Sequence, residues 1–252
     1  MSLPSDARTT VTAGSGGFGG VKKAVESDGC GGGGGSERAV GFVGLGAMGA
    51  GMAAALVKQG FAVKGFDVYP PACEKLKAAG GAAAASAADA AEGAPVVVLM
   101  IATSQQAEAA LFGNQGALDA LPRAAVVVLC STVPPDFACS LGRKLAAQGE
   151  AWELVDAPVS GGVACAADGG TLTIMASAAP AALAKARPVL EAMSVHLYTV
   201  GDQPGAGSMM KMVNQLLAGV HVLAAAEAMA LAARAGLNPR MVFDVVSHAA
   251  GN

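Results

Sequence analysis

From residue 39 onward, short β-branched runs alternate with longer stretches of helical spacing. Residues 39–43, 61–66, 95–101, 125–130, 153–156, 171–176 and 196–200 read as strands. Some, such as Val96-Val97-Val98-Leu99-Met100, are apolar at every position, which suits a parallel sheet covered on both faces. Residues 52–57, 71–79, 105–112, 136–148 and 180–193 carry helical patterns between them. This alternation predicts a doubly wound α/β domain. After Gly207 the strand signal stops, and helices are predicted over 208–235 and from about residue 239 to His248. The pattern therefore predicts an α/β domain over 38–204 and the start of an all-helical domain over 205–252.

Two stretches need separate treatment. Residues 1–37 are rich in glycine, serine and small polar side chains, too little apolar surface to offset the entropy of ordering, and are expected to be disordered. The run 216–233 approaches the length of a membrane span. His221 and Glu227 interrupt it, and it has no aromatic belts or flanking basic clusters, so the expectation is a buried helix of a helical domain rather than a membrane segment.

Composition narrows the function classes. The chain has 252 residues, 14% of them charged, with a net charge of −3, so no basic patch points to nucleic acid. Its mean hydropathy of +0.50 is raised by alanine. Five cysteines form no C-x-x-C pair, and the three histidines are far apart in sequence, so no metal site is expected and the thiols read as reduced. There is no continuous apolar core of a secretory signal, and acids at Asp6, Glu26, Asp28 and Glu37 argue against a transit peptide. A cytoplasmic location is expected, with an organelle address in the first few residues left open.

The chemistry begins between the first strand and the first helix. Gly44-Leu45-Gly46-Ala47-Met48-Gly49 has the spacing G-x-G-x-x-G. In a dinucleotide site the first glycine permits the tight turn, the second lets the backbone approach a pyrophosphate, and the third lets helix and strand pack closely. The pyrophosphate would sit on a helix N-terminus, where free N–H groups and the dipole favour an anion. Thirty-five glycines make the spacing alone weak, but its placement between strand and helix is specific. Asp67 ends the second strand, where a carboxylate can hydrogen-bond a ribose 2′-OH and repel a 2′-phosphate. Val68, Tyr69 and Pro70 follow it without an arginine, so NAD is favoured over NADP.

Two further clusters lie later in the chain. Asp156-Ala157-Pro158-Val159-Ser160-Gly161-Gly162 ends a strand in a hydroxyl and two glycines, either a concave carboxylate site or an ordinary turn. Ser131-Thr132 ends another strand, on the side where open α/β sheets bind ligands. In the long helix Lys211, Asn214 and Gln215 share a face, and Lys211 is the only charge between Asp202 and Glu227. Desolvation and the positive helix end would lower its pKa and suit it to acid–base work, whereas the plain alternative is a lysine snorkelling from a packed helix.

Taken in order, Gly44-Leu-Gly-Ala-Met-Gly49, Asp156-Ala-Pro-Val-Ser-Gly-Gly162, Gly170-Thr-Leu-Thr-Ile-Met175 and Gly205-x-Gly-x-x-x-Lys211-x-x-Asn214-Gln215 resemble the β-hydroxyacid dehydrogenases, which include 3-hydroxyisobutyrate dehydrogenase. The resemblance runs from Ala39 to Asn252 and is closest to the L-threonate dehydrogenase branch. It implies hydride transfer from the hydroxyl-bearing carbon of a small hydroxyacid, threonate or 3-hydroxyisobutyrate in type, to nicotinamide. It also implies Lys211 as the acid–base, Ser160, Gly161 and Gly162 as the carboxylate loop, and Asn214 and Gln215 as substrate amides. Thr132 would lie near cofactor and substrate. Ile101-Ala102 replaces a Leu-Pro of many members beside the cofactor, and Gln215 an asparagine.

Members continue for several helices past Asn252, so the expectation is a truncated product that binds NAD and turns over poorly. A homo-oligomer is expected where that whole domain is present. Alternatives left open are an NADPH-dependent glyoxylate or succinic semialdehyde reductase, a non-catalytic dinucleotide-binding protein, and one piece of a larger fusion.

Overall fold

Strands that are apolar at every position need cover on both faces, and the fold provides it. The computed structural model describes residues 38–167 and 171–251, so the expectations for residues 1–37 and for Gly170 lie outside the described residues. The chain runs β1 (Ala39–Val43), α1 (Gly49–Lys58), β2 (Ala62–Phe66), α2 (Pro70–Ala78), β3 (Ala82–Ala83), α3 (Ala87–Ala91), β4 (Val96–Leu99) and α4 (Ser104–Phe112). It continues through β5 (Val126–Leu129), α5 (Pro135–Ala146), β6 (Glu153–Asp156), β7 (Val159–Ser160), α6 (Gly162–Ala167), β8 (Leu172–Ser177), α7 (Pro180–Ala192) and β9 (Ser194–Gly201). Two helices follow, α8 (Ala206–Arg234) and α9 (Pro239–Ser247).

The first six strands pair in parallel in the order β3-β2-β1-β4-β5-β6. That is the doubly wound order, in which the chain changes direction across the sheet between β1 and β4 and leaves a crevice at their carboxyl ends. Period-two alternation sends successive residues to opposite faces. Phe42, Val96, Val98, Val126 and Val128 accordingly join one apolar layer with α1 and α7. Val43, Val97, Leu99, Val127 and Leu129 join a second layer with α4 and α5.

Beyond β6 the sheet is no longer purely parallel. β8 runs antiparallel to β6 and β7, and β9 runs parallel to β8 at the edge. Connection length explains both. The link from β7 to β8 is too short for a crossover and turns the chain back, whereas α7 gives β9 the full crossover that a parallel pair needs. The predicted strands 39–43 and 153–156 are present with those ends, and the others with ends shifted by one or two residues. The short β3, β7, α3 and α6 carry too little periodicity to be read from sequence.

One expectation is corrected. The apolar run in α8 is not buried among the described residues, where only Gly207, Ser208, Lys211 and Ala232 of that helix are covered. Leu216, Leu223 and Leu231 are about two-thirds exposed or more, at 68%, 64% and 71%. The reason is geometric: the first turns of α8 press on β8 and β9, and beyond them α9 is its neighbour. By length and composition alone α8 could cross a membrane, a test that long core helices also pass.

Candidate functional site

At the carboxyl end of β1 the backbone turns at Gly44 with φ +96°, a conformation that suits glycine. A Cβ there would come within 2.3 Å of the Met100 carbonyl oxygen. A Cβ on Gly49 would lie 1.9 Å from the Gly44 carbonyl oxygen, so the start of α1 packs directly on the turn. Gly46 differs, because a Cβ there would meet nothing within 4 Å and would project into open space. The N-terminus of α1 has no side-chain cap and no acid in its first turn, which leaves its dipole free for an anion.

Asp67 ties the turn to the second strand. Its Oδ2 accepts from the Leu45 N–H at 2.6 Å and its Oδ1 from the Tyr69 N–H at 2.8 Å. The carboxylate is half-buried on the wall of a cavity of about 540 Å³. Gly44, Gly46, Ile101, Ala102, Gln106 and Gln115 line the rest of that wall. Ser131, fully buried at the end of β5, accepts from the Ile101 N–H at 2.9 Å and fixes the Ile101-Ala102 segment. A capping box between Thr103 and Gln106 starts α4 and holds the far rim. Thr132 is exposed just beyond β5 and does not line this cavity.

The second half of the site lies where β7 meets α6 and α8. Gly161 and Gly162 take φ of +131° and +76°, and the α6 that follows packs against α1. The turn therefore lies beside the dinucleotide helix. The Asn214 amide donates to Ser160 Oγ at 3.4 Å, which joins the loop to α8. Gln215 is exposed, and its Oε1 also accepts from Asn214 at 3.4 Å.

Lys211 lies on the covered side of α8, 6% exposed, and no ion pair or side-chain hydrogen bond among the described residues engages it. Burial holds its pKa below the ordinary lysine value of 10.5. Cys130, fully buried, is pushed the other way, up to about 12, by burial first and by the nearby Asp156 charge second, so its thiol stays protonated. The residues that the sequence left without an individual role are Ser177 and Asp156. The signal for Asp156 was an acid closing the strand that leads into the glycine turn.

A doubly wound sheet with an uncapped, glycine-led helix at its crevice and a carboxylate on the wall defines a dinucleotide-binding protein. The NAD binding domain of 6-phosphogluconate dehydrogenase matches residues 39–201, and the NAD-binding region of NADP-dependent 3-hydroxyisobutyrate dehydrogenase matches residues 205–252. The L-threonate dehydrogenase of Cupriavidus necator is 46% identical over 210 residues, spanning 83% of this chain and 70% of that enzyme. The NAD-dependent L-serine dehydrogenase of Pseudomonas aeruginosa is 40% identical over 212 residues, 83% of this chain and 69% of that one. The crystal structure of 3-hydroxyisobutyrate dehydrogenase from Salmonella typhimurium superposes with a TM-score of 0.78 at 42% identity, covering 84% of this chain and 73% of its own. The chain belongs to the 3-hydroxyisobutyrate dehydrogenase type of hydroxyacid dehydrogenases.

Proposed function

We propose that the protein oxidises a small hydroxyacid of the threonate or 3-hydroxyisobutyrate type with NAD, using Lys211 as its general acid–base. The observation that carries this reading is a buried lysine, unpaired among the described residues, on the helix that Asn214 joins to the loop of Ser160, Gly161 and Gly162. In this reading residues 38–204 form the cofactor domain, and 205–252 begin a helical domain that brings Lys211 to it.

The wall residues fit a dinucleotide. The uncapped start of α1 suits a pyrophosphate, Asp67 a ribose diol, and the cavity beyond it a flat base. Bound NAD would supply the hydride acceptor. The protein's own part is to hold and deprotonate the substrate. The N–H groups of the glycine turn and Ser160 Oγ bind the carboxylate, and the Asn214 amide orients Ser160 and the substrate. Lys211, neutral when the reaction begins, takes the hydroxyl proton as the carbinol carbon gives up its hydride, and returns it in the reverse direction. The names of similar enzymes support a hydroxyacid and, for the L-serine enzyme, NAD. The apolar flanks of α8 and α9 support a homo-oligomer in which other surface covers them.

The cofactor reading has its own test. Asp67 presents a negative charge where the 2′ substituent would lie, and both its oxygens already accept backbone donors that hold it in place. Asp67→Ala is expected to move the ratio of NAD to NADP affinity toward NADP by roughly tenfold, about 1.4 kcal/mol. Titration of native and variant protein with each cofactor measures it. Native protein that binds NADP as tightly as NAD would remove the basis for preferring NAD.

A further inference from the structure

Helix α8 begins without a cap of its own. Its N-cap is Gly205, with φ +109° and no side chain, yet the first-turn N–H groups are not left bare. Asp156, fully buried at the end of β6, accepts from the Gly205 N–H at 2.9 Å and the Ser208 N–H at 2.8 Å, both at Oδ2. Its Oδ1 accepts from Ser208 Oγ at 2.7 Å. Ser177 of β8 takes the Gly207 N–H at 2.8 Å and donates weakly to Asp156 at 3.4 Å. Two strands thus supply the cap that the helix lacks, β6 from 49 to 52 residues away in sequence and β8 from 30. No ion pair among the described residues engages Asp156, so the helix N-terminus is the positive partner of this carboxylate.

The grip is close as well as polar. A Cβ on Gly207 would lie 2.5 Å from the Met175 carbonyl oxygen and 2.6 Å from that of Asp156, so the helix backbone rests on β6 and β8. Four residues after Asp156, Ser160 accepts from Asn214 at 3.4 Å. Ser208, Lys211 and Asn214 are three residues apart in turn and share a face. The two attachments, one from Asp156 and one from Ser160, bracket Lys211.

We propose that Asp156 is the positioning residue for Lys211: by capping α8 from β6 it sets the height and rotation of the helix, and so where the lysine amine stands relative to the Ser160 loop. The proposal rests on the reading of Lys211 as acid–base for its kinetic consequence, but not for its structural one. Two substitutions separate position from charge. Asp156→Asn can keep every contact, because its amide oxygen accepts both backbone N–H groups while its NH2 donates to Ser208 Oγ, which turns from donor to acceptor. Asp156→Ala removes them all.

Three readouts apply to the full chain: amide exchange at Gly205, Gly207 and Ser208, the rate at which acetic anhydride labels Lys211 relative to the other lysines, and kinetics with L-threonate and NAD. Asp156→Ala is expected to lose protection at those amides and to label faster at Lys211. Its kcat should fall roughly 10²-fold with the KM for NAD little changed, as a displaced catalytic group requires. Asp156→Asn should restore native exchange and labelling and most of kcat. If Asp156→Ala does not fold, Ser208→Ala, which removes only the Oγ contact, should show the same changes to a smaller degree.

Native labelling and exchange in the alanine variants would overturn the proposal, as would an asparagine variant as impaired as Asp156→Ala. Full activity in Lys211→Ala would instead strike the acid–base reading, and exchange and labelling would still decide the role of Asp156.

Discussion

Lys211→Ala is expected to lower kcat for hydroxyacid oxidation by roughly 10²–10⁴-fold, the usual contribution of a positioned general base, while NAD binds as before. The side chain is covered and unpaired among the described residues, and it stands between two points at which α8 is fastened to the sheet. Its pKa is lowered by burial, and the sign of the pH dependence follows. Oxidation needs the neutral amine, so kcat should rise with pH and level off below the value of an ordinary lysine; reduction needs the ammonium and should fall over the same range. Stability should rise with pH between the folded and unfolded lysine pKa values, because the unfolded chain holds the proton longer. A variant with the native pH profile of kcat would show that another group titrates.

The glycine turn makes an equally large prediction, in which two neighbouring substitutions fail for different reasons. Gly49→Ala would place a methyl group 1.9 Å from the Gly44 carbonyl, where both partners are backbone and neither can move aside. Overpacking of this kind costs about 1–3 kcal/mol or more, and for a chain of this size each kcal/mol lowers Tm by roughly 2–4 °C. Gly46→Ala meets no protein atom within 4 Å, so the fold should melt as the native one does. The added methyl group points instead toward the space that a pyrophosphate would use, and NAD affinity should fall roughly tenfold or more. Thermal melts with and without NAD separate the two. If Gly46→Ala binds NAD normally, the cofactor does not lie against this turn.

How much of this was legible in the sequence depended on the range of the interaction. The turn from Gly44 to Gly49 is local, since a tight bend and a close helix leave glycines at fixed spacing, and the doubly wound α/β class followed from alternation. Continuous valine runs at 96–98 and 126–128 announced a sheet covered on both faces. Pairing across long separations left little trace. Nothing near Gly205 shows that Asp156 and Ser177 cap its helix, because all the partners are ordinary turn or strand residues. The exposure of α8 was misread for a related reason: an apolar pattern reports what a helix can pack against, not which neighbour is present.

Similarity settles the family, and the residue assignments rest on geometry, so the account is tested most directly by following the hydride. The 252-residue chain would be incubated with NAD and L-threonate carrying deuterium at every hydroxyl-bearing carbon, and the reduced cofactor analysed by NMR and mass spectrometry. The account predicts one deuterium at C4 of the nicotinamide for each hydroxyacid oxidised, with production strongly reduced in Lys211→Ala. A native protein that binds NAD but yields no labelled cofactor from threonate, 3-hydroxyisobutyrate or serine would contradict it.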